Sequence, residues 1–324
     1  MKEPLVTIFT AVYNHEKYLE DYFKSIISQT YNNIELVIID DCSTDNSVII
    51  IEKWMDKLKS RFNRVVFISR NVNKGLVYNC NEAIQIAKGD YICLFASDDI
   101  MAPHNIEYKV EYLEKNKNIA LVYSDGFFID ENATYGNLDK HIISKFSKKQ
   151  KLYEGEVFQK LIDFGCFIPA PTVLLRREIV LKLGGYSSEY MFEDYQMWLK
   201  IAKEYKVGLV NKPLVYYRLS TNSLSRSVDN FKKMINDHER LLNDIKAEDN
   251  TVDISIGLQK LYKDNAKSFF NYNLKQEFLY YYNKIKEKDL SLKLMYIIIN
   301  FSYIYRGIKK GWSIYKKFRA KFIR

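Results

Sequence analysis

Residues 91–103 read YICLFASDDIMAP, a short apolar run rich in β-formers that stops at two adjacent carboxylates, Asp98 and Asp99. The run has the composition of a buried strand, and its end delivers both acids to one place. Two carboxylates side by side repel each other unless positive charge sits between them, and a hard divalent cation supplies it. A second reading stands open beside the first, in which the two aspartates cap the turn into a helix after Pro103.

Outward from this stretch the same unit repeats. Leu5 to Val12 is an apolar, β-branched run ending at Tyr13-Asn14, followed by Tyr18, Leu19, Tyr22, Phe23, Ile26 and Ile27 at helical spacing. Ile34 to Ile39 is a second strand pattern ending at Asp40-Asp41. Ser43, Thr44 and Asp45 then offer N-caps to a helix reaching about Ser60. Val65 to Ile68 precedes the loop Arg70-Asn71-Val72-Asn73-Lys74-Gly75, and Val77, Cys80, Ala83, Ile84 and Ala87 mark another helix.

Alternating strands and helices predict right-handed crossovers and a mostly parallel sheet flanked by helices, with ligands bound at the strands' carboxyl ends. Each polar cluster follows a strand directly, so four loops are expected to converge on one crevice. No G-x-G-x-x-G follows the first strand and no Walker A lysine motif occurs, so phosphate is expected to be held through metal rather than by glycine amides.

Farther along, Ala120 to Ser124 reads as a strand, and residues 130–153 as a polar, mobile loop beside the crevice. Phe164 to Arg177 is a loop entering a strand, and Gly184-Gly185-Tyr186 a turn. FEDYQMWLKIAKEY is a helix that buries Tyr195, Trp198, Leu199 and Ala202 and opens on Glu193 and Asp194. Acidic residues at a helix start also serve as caps, and both roles stay open for this pair. Val207–Val210 and Val215–Arg218 read as two short strands, and LSTNSLSRS as a flexible loop. From about Phe231 the pattern is helical, which divides the chain into residues 1–226 and a helical appendage, 227–324.

The formal charge is +9, and residues 290–324 hold nine Lys or Arg and no acid, so the remainder sums to zero. A basic excess confined to one segment argues against a nucleic-acid binder. Leu292 to Tyr305 carries Lys293 and Asn300 and falls short of the ~20 apolar residues a span needs. With the lysines and aromatics behind it, the segment reads as an interfacial helix on an anionic bilayer, the alternative being a helix docked on the protein itself. Four cysteines without metal-ligand spacing and the absence of a leader-like start point to a cytoplasmic protein at the inner face of the membrane.

FTAVYNHEKYLE, VIIDDCSTDNS, RNVNKGLVYNCNEAI, GDYICLFASDDIMAP, GGYSSEYMFEDYQMWLK and YYRLSTNSLS occur here in the order found in family-2 glycosyltransferases of the GT-A fold. The chain resembles that family over roughly residues 3–226. The resemblance implies that Tyr13 and Asp41 contact the nucleotide base, Asp98 the ribose or diphosphate, and that Asp99 binds Mn²⁺ or Mg²⁺. It also implies that Asp194 is the catalytic base of an inverting transfer, with Glu193 the next candidate.

Ala11, Asn73, Lys74 and Arg218 complete the expected donor-binding set, the two cations as candidates to offset diphosphate charge. The implied donor is a nucleotide sugar, a UDP-sugar first. The implied acceptor is a cell-surface glycan or polyprenyl-diphosphate-linked precursor. This sequence departs from the family pattern at Ala11 (often Pro), Cys42 (often Gly), Ala96 (often Asp) and Ser220 (His in some members). Two other functions fit parts of the sequence: a sugar-phosphate nucleotidyltransferase, which would need a glycine-rich basic loop in place of TAVYNH, and a non-catalytic membrane scaffold, for which the three aspartates would be expendable.

Overall fold

The computed structural model describes residues 3–132, 152–219 and 228–300. The chain forms two compact units, one of residues 1–161 and 166–237, the other of residues 162–165 and 238–324. The division falls inside a helix, beyond the expected boundary at 226.

The first unit opens with β1 (Val6–Val12), α1 (Leu19–Ile27), β2 (Ile34–Asp40), α2 (Ser47–Arg61), β3 (Arg64–Ser69), α3 (Leu76–Ile86) and β4 (Tyr91–Leu94). β2 is buried at every residue and β1 at all but Ala11, as strands covered on both faces must be. These four strands lie parallel in the order β3-β2-β1-β4. The chain therefore turns one way after β1 and crosses to the other side for β4, which makes the carboxyl ends of β1 and β4 a switch point.

Register decides where the loops emerge. Val12 pairs with Asp40 and Asp40 with Ser69, so β1, β2 and β3 end level and release their loops side by side. β4 stops opposite Phe9, and Phe95 N–H still donates to Phe9 O, so residues 96–99 turn beneath the end of β1. None of the three proposed residues is the N-cap of α2, which is Asn46; Asp45 stands one place earlier, its carboxylate accepting the Ser47 N–H at 2.9 Å.

β5 (Ile100–Met101), α4 (Asn105–Lys115), β6 (Ile119–Ile129), α5 (Phe158–Phe164), a 3₁₀ turn (Ala170–Thr172), β7 (Leu174–Arg176), α6 (Arg177–Lys182), α7 (Glu193–Glu204) and β8 (Lys206–Arg218) follow. They extend the sheet to eight strands, β3-β2-β1-β4-β7-β6-β8-β5, with β7 antiparallel to β4 and β6, and β5 antiparallel to β8. The two short strands expected over 207–218 are one strand of 13 residues. Pro213 is accommodated at a register shift opposite Asp125, where a bulge removes the need for its missing N–H. The polar loop over 130–153 and the LSTNSLSRS loop fall mostly outside the described residues.

α8 (Val228–Glu248) spans the division, and α9 (Ser255–Asn271), α10 (Lys275–Lys284) and α11 (Leu290–Asn300) belong to the second unit. α9 ends in a tight reversal: Asn273 takes a left-handed φ of 59°, and the Leu274 and Asn273 amides return to Phe269 O and Phe270 O. In this unit Gly257 lies against the Ile162 carbonyl, where a Cβ would collide. Leu292 and Ile299 bury one face of α11. Among the described residues no helix is long and apolar enough to cross a membrane.

Candidate active site

Hydrogen bonds tie together the loops that follow β1, β2, β3 and β4. Asn14 N–H donates to Ser43 Oγ at 2.9 Å, and Asn14 Oδ1 accepts the Thr44 N–H at 2.8 Å. Asp41 accepts the Lys74 and Gly75 amides, one on each carboxylate oxygen, both at 2.8 Å. His15 Nδ1 meets Ser97 Oγ at 2.6 Å, and Ser97 Oγ donates to Ala11 O at 3.2 Å. The expected convergence on one crevice is thus seen as a continuous network.

On this network Tyr13 is 48% exposed, so its ring is free to stack on a ligand. Asn73 and Lys74 are exposed, Asn73 Oδ1 accepting the Gly75 N–H and Lys74 Nζ lying 4.4 Å from the centre of the Tyr78 ring. The sequence reading passed over Arg70. Its guanidinium approaches Asp41 at 3.8 Å, donates to Asn79 Oδ1 at 2.8 Å, pairs with Glu82 and covers the Tyr78 ring. His15 and Ser97 were also passed over. Their signal was place alone, each lying in a loop directly after a strand.

Neither Asp98 nor Asp99 caps the following helix, whose N-cap is His104. Asp99 is 2% exposed, and its Oδ1 accepts the Arg218 N–H at 2.8 Å; Asp98 is half-buried. Burial first, and the Asp98 carboxylate second, push the Asp99 carboxyl well above the usual range. Arg218 reaches this turn because β5 pairs with β8, but its guanidinium is used up by the protein. It donates to Asp98 O at 2.7 Å and Glu131 O at 2.9 Å, pairs with Asp21 at 3.3 Å, and lies over the Tyr18 ring. At 3% exposure it fixes the Asp98–Asp99 turn rather than offering a free charge.

Among the described residues no group of three or more His, Cys, Asp or Glu is gathered closely enough to hold a metal. The Asp98–Asp99 pair nevertheless fits a divalent cation, because two adjacent carboxylates repel and a cation between them relieves that repulsion, and a ligand's diphosphate and water can fill the remaining positions.

Glu193 and Asp194 open α7 without capping it, its N-cap being Phe192 with no side-chain cap bond. Asp194 Oδ1 accepts the Tyr195 N–H at 2.7 Å. Burial, with the Glu193 charge second, pushes the Asp194 carboxyl up to about 7, and burial raises Glu193 as well. No hydrogen bond among the described residues links this pair to the Asp98 turn. α3 relates it to the loops instead: the helix starts at Gly75, bound to Asp41. Six residues on, ~9 Å along the axis, Asn81 holds Tyr186 through Nδ2 to Tyr186 O at 2.9 Å and Tyr186 N–H to Oδ1 at 2.8 Å.

The comparisons with known proteins agree with this architecture. Residues 7–183 match the family described as Glycosyl transferase family 2. An uncharacterised glycosyltransferase of Methanocaldococcus jannaschii is 32% identical over 231 residues, 70% of this chain and 75% of that protein. The UDP-Glc:alpha-D-GlcNAc-diphosphoundecaprenol beta-1,3-glucosyltransferase WfaP of Escherichia coli is 33% identical over 233 residues, 71% of this chain and 83% of that one. Among solved structures, S. aureus TarS in complex with UDP-GlcNAc superposes with a TM-score of 0.61 at 16% identity, covering 91% of this chain and 79% of that one. A mannosyltransferase of Pyrobaculum calidifontis in complex with GDP-Man and Mn²⁺ gives a TM-score of 0.62 at 16% identity, covering 98% and 83%. With more than half its length matched by the family and its strand-end loops gathered as described, the chain belongs to glycosyl transferase family 2 and is a glycosyltransferase of the GT-A fold.

Proposed function

We propose that this enzyme moves a sugar from a UDP-sugar to a hydroxyl of a polyprenyl-diphosphate-linked glycan precursor, with inversion at the sugar and Asp194 as general base. The observation that carries the reading is Asp194 itself, a half-buried carboxyl with one oxygen fixed by the Tyr195 amide and a proton affinity near neutrality. A base works best when its pKa lies near the operating pH, and among the described residues no cation pairs with Asp194. The relative that acts from UDP-Glc on a diphosphoundecaprenol-linked acceptor supports the choice of donor and acceptor.

In this reading Tyr13 stacks on the base, and Asp41, braced by Arg70 and by the Lys74 and Gly75 amides, faces its edge. Asp98 and Asp99 would hold Mn²⁺ or Mg²⁺, the half-buried Asp98 being the acid with room to reach a diphosphate. A cation bound there would act as a Lewis acid on the leaving diphosphate. Arg218 keeps the turn in place. Asp194 takes the proton of the attacking hydroxyl, and a single displacement inverts the sugar. A lipid-linked acceptor lies at a membrane, and the exposed apolar residues of α11 with the basic stretch 290–324 suit an anionic surface.

The test is a transfer assay over nucleotide sugars, UDP-glucose first, on a diphosphate-linked N-acetylglucosamine acceptor with Mn²⁺ or with chelator. Asp194→Asn should retain nucleotide binding by calorimetry and lose transfer by ~10²-fold or more. Native kcat/KM should rise as pH passes about 7, because the ionised carboxylate is the active form. A wild-type rate in Asp194→Asn overturns the base, and equal rates with Mn²⁺ and chelator overturn the cation.

A further inference from the structure

The turn before α7 carries a side chain that the reaction as described leaves unused. Tyr186 is 6% exposed, and its hydroxyl has no hydrogen-bond partner among the described residues. A phenol taken out of water without a partner is destabilising, and the surrounding structure has gone to some length to keep it there.

Gly184 and Gly185 both take left-handed backbone, φ 81° and 75°, and a Cβ on Gly185 would strike Asn81 Oδ1. Asn81 grips the Tyr186 amide and carbonyl from α3. From α7, Gln196 Nε2 donates to Ser187 O at 3.3 Å and Phe192 O at 3.0 Å, tying the residue after Tyr186 to the start of the helix that bears the acid pair. The backbone that carries the phenol is thereby tied both to α3 and to the start of α7. Besides burial, the charges that act most on it are those of Cys80 on α3, Glu193 and Asp194 on α7 and Cys93 on β4.

Of the two acids Glu193 acts more strongly than Asp194 on the phenol, and Glu193 acts on the Cys80 thiol as well. We propose that Tyr186 is a positioning residue for the acid pair: its buried O–H donates to the Glu193 carboxylate in the reacting state, and the anion so held keeps Asp194 the stronger base. The logic is that of any two neighbouring acids that must play different parts. A donor on one favours its ionised form, and the charge fixed there raises the proton affinity of the other. The inference rests on Asp194 as the base, and it gives Glu193 a part of its own, the fixed charge rather than the proton acceptor.

The experiment is a pH titration by carbon-13 NMR of the full chain labelled at its Asp and Glu carboxyl carbons and saturated with UDP, Mg²⁺ and the diphosphate-linked acceptor, which hold the reacting arrangement without a sugar to transfer, the two signals being assigned by their loss in Asp194→Asn and Glu193→Gln. Tyr186→Phe keeps the ring and removes only the hydroxyl. In that variant the Glu193 titration should move up by about one pH unit and the Asp194 titration should move down. A phenol that merely fills space would leave both titrations where they were, and that result overturns the proposal while leaving Asp194 as base untouched. An Asp194 titration that moves up, alone or with Glu193, places the donated bond on Asp194 and also overturns it. An Asp194 signal that titrates near the ordinary aspartate value in the native protein overturns this proposal together with the base on which it rests.

Discussion

Cys42 follows Asp41 with a left-handed φ of 68°, where a Cβ presses on its own backbone. The family pattern often has glycine at this place, and glycine adopts this conformation without strain. Cys42→Gly should therefore stabilise the protein by ~1 kcal/mol, offset in part by the greater freedom glycine has when unfolded. Chemical denaturation with matched m-values is the check, and an unchanged midpoint would show that the strain is relieved locally. Residue identity picked out the acids that the structure sets at strand ends and at the start of α7, but said nothing of which cations are already paired. Arg218 read as a charge for the diphosphate and is buried under three carbonyl and carboxylate partners, while Arg70, beside Asp41, drew no notice. Charge is visible in a sequence, whereas the partners that consume it come from strands far apart in the chain.

At the level of elements, periodicity placed the first three strands, the start of the fourth and the helices between them to within a residue or two, most plainly at β1 and β2, because parallel strands buried on both faces are continuous apolar runs. It failed at β8, where Pro213 and the bulges broke one strand into two apparent ones. It is also silent about Lys109. On α4 this residue shares the buried face of Ile106, Val110 and Leu113, with Nζ donating to Asn105 Oδ1 at 2.8 Å and no carboxylate beside it. Burial lowers its ammonium to about 8 from the ordinary 10.5. The native state thus binds this proton more weakly than the unfolded chain, so the charge is destabilising at neutral pH and the cost disappears as pH rises from about 8 to 10.5. Lys109→Met should raise stability at pH 7 by ~1–3 kcal/mol, less the acceptor it strands on Asn105, and the gain should shrink towards pH 10. Thermal melts of both proteins across that range decide it, and a gain independent of pH would trace the effect to packing instead of charge.

On the scale of the molecule, the run of C-terminal helices was legible in the sequence, whereas the place where the compact units divide, within α8, carries no loop signal of its own. The sequence left α11 with two competing placements, on a bilayer or on the protein. One face, Leu292 and Ile299, is buried; on the other, Leu294 and Ile297 are 50% and 48% exposed. Removing residues 290–324 would strip core as well as surface, so the membrane reading is better tested by Leu294→Ser with Ile297→Ser. Full-length protein should sediment with phosphatidylglycerol vesicles and release as salt rises, since the Debye length shrinks below ~10 Å above 0.1 M. The double substitution should weaken binding by ~10-fold or more through lost apolar insertion. Equal sedimentation of both proteins, or none at low salt, would remove the bilayer from the account.

The assignment of residues 162–165 to the second unit matters for how the chain is made. A ribosome releases this four-residue piece, the end of α5 with Gly165, more than seventy residues before the first helix segment it belongs with, at His238, and further still before Gly257, whose bare Cα receives the Ile162 carbonyl. During synthesis the sheet can close while α5 still presents an unfinished end, and the second unit cannot be completed, expressed alone or grafted onto another enzyme without carrying that early fragment along.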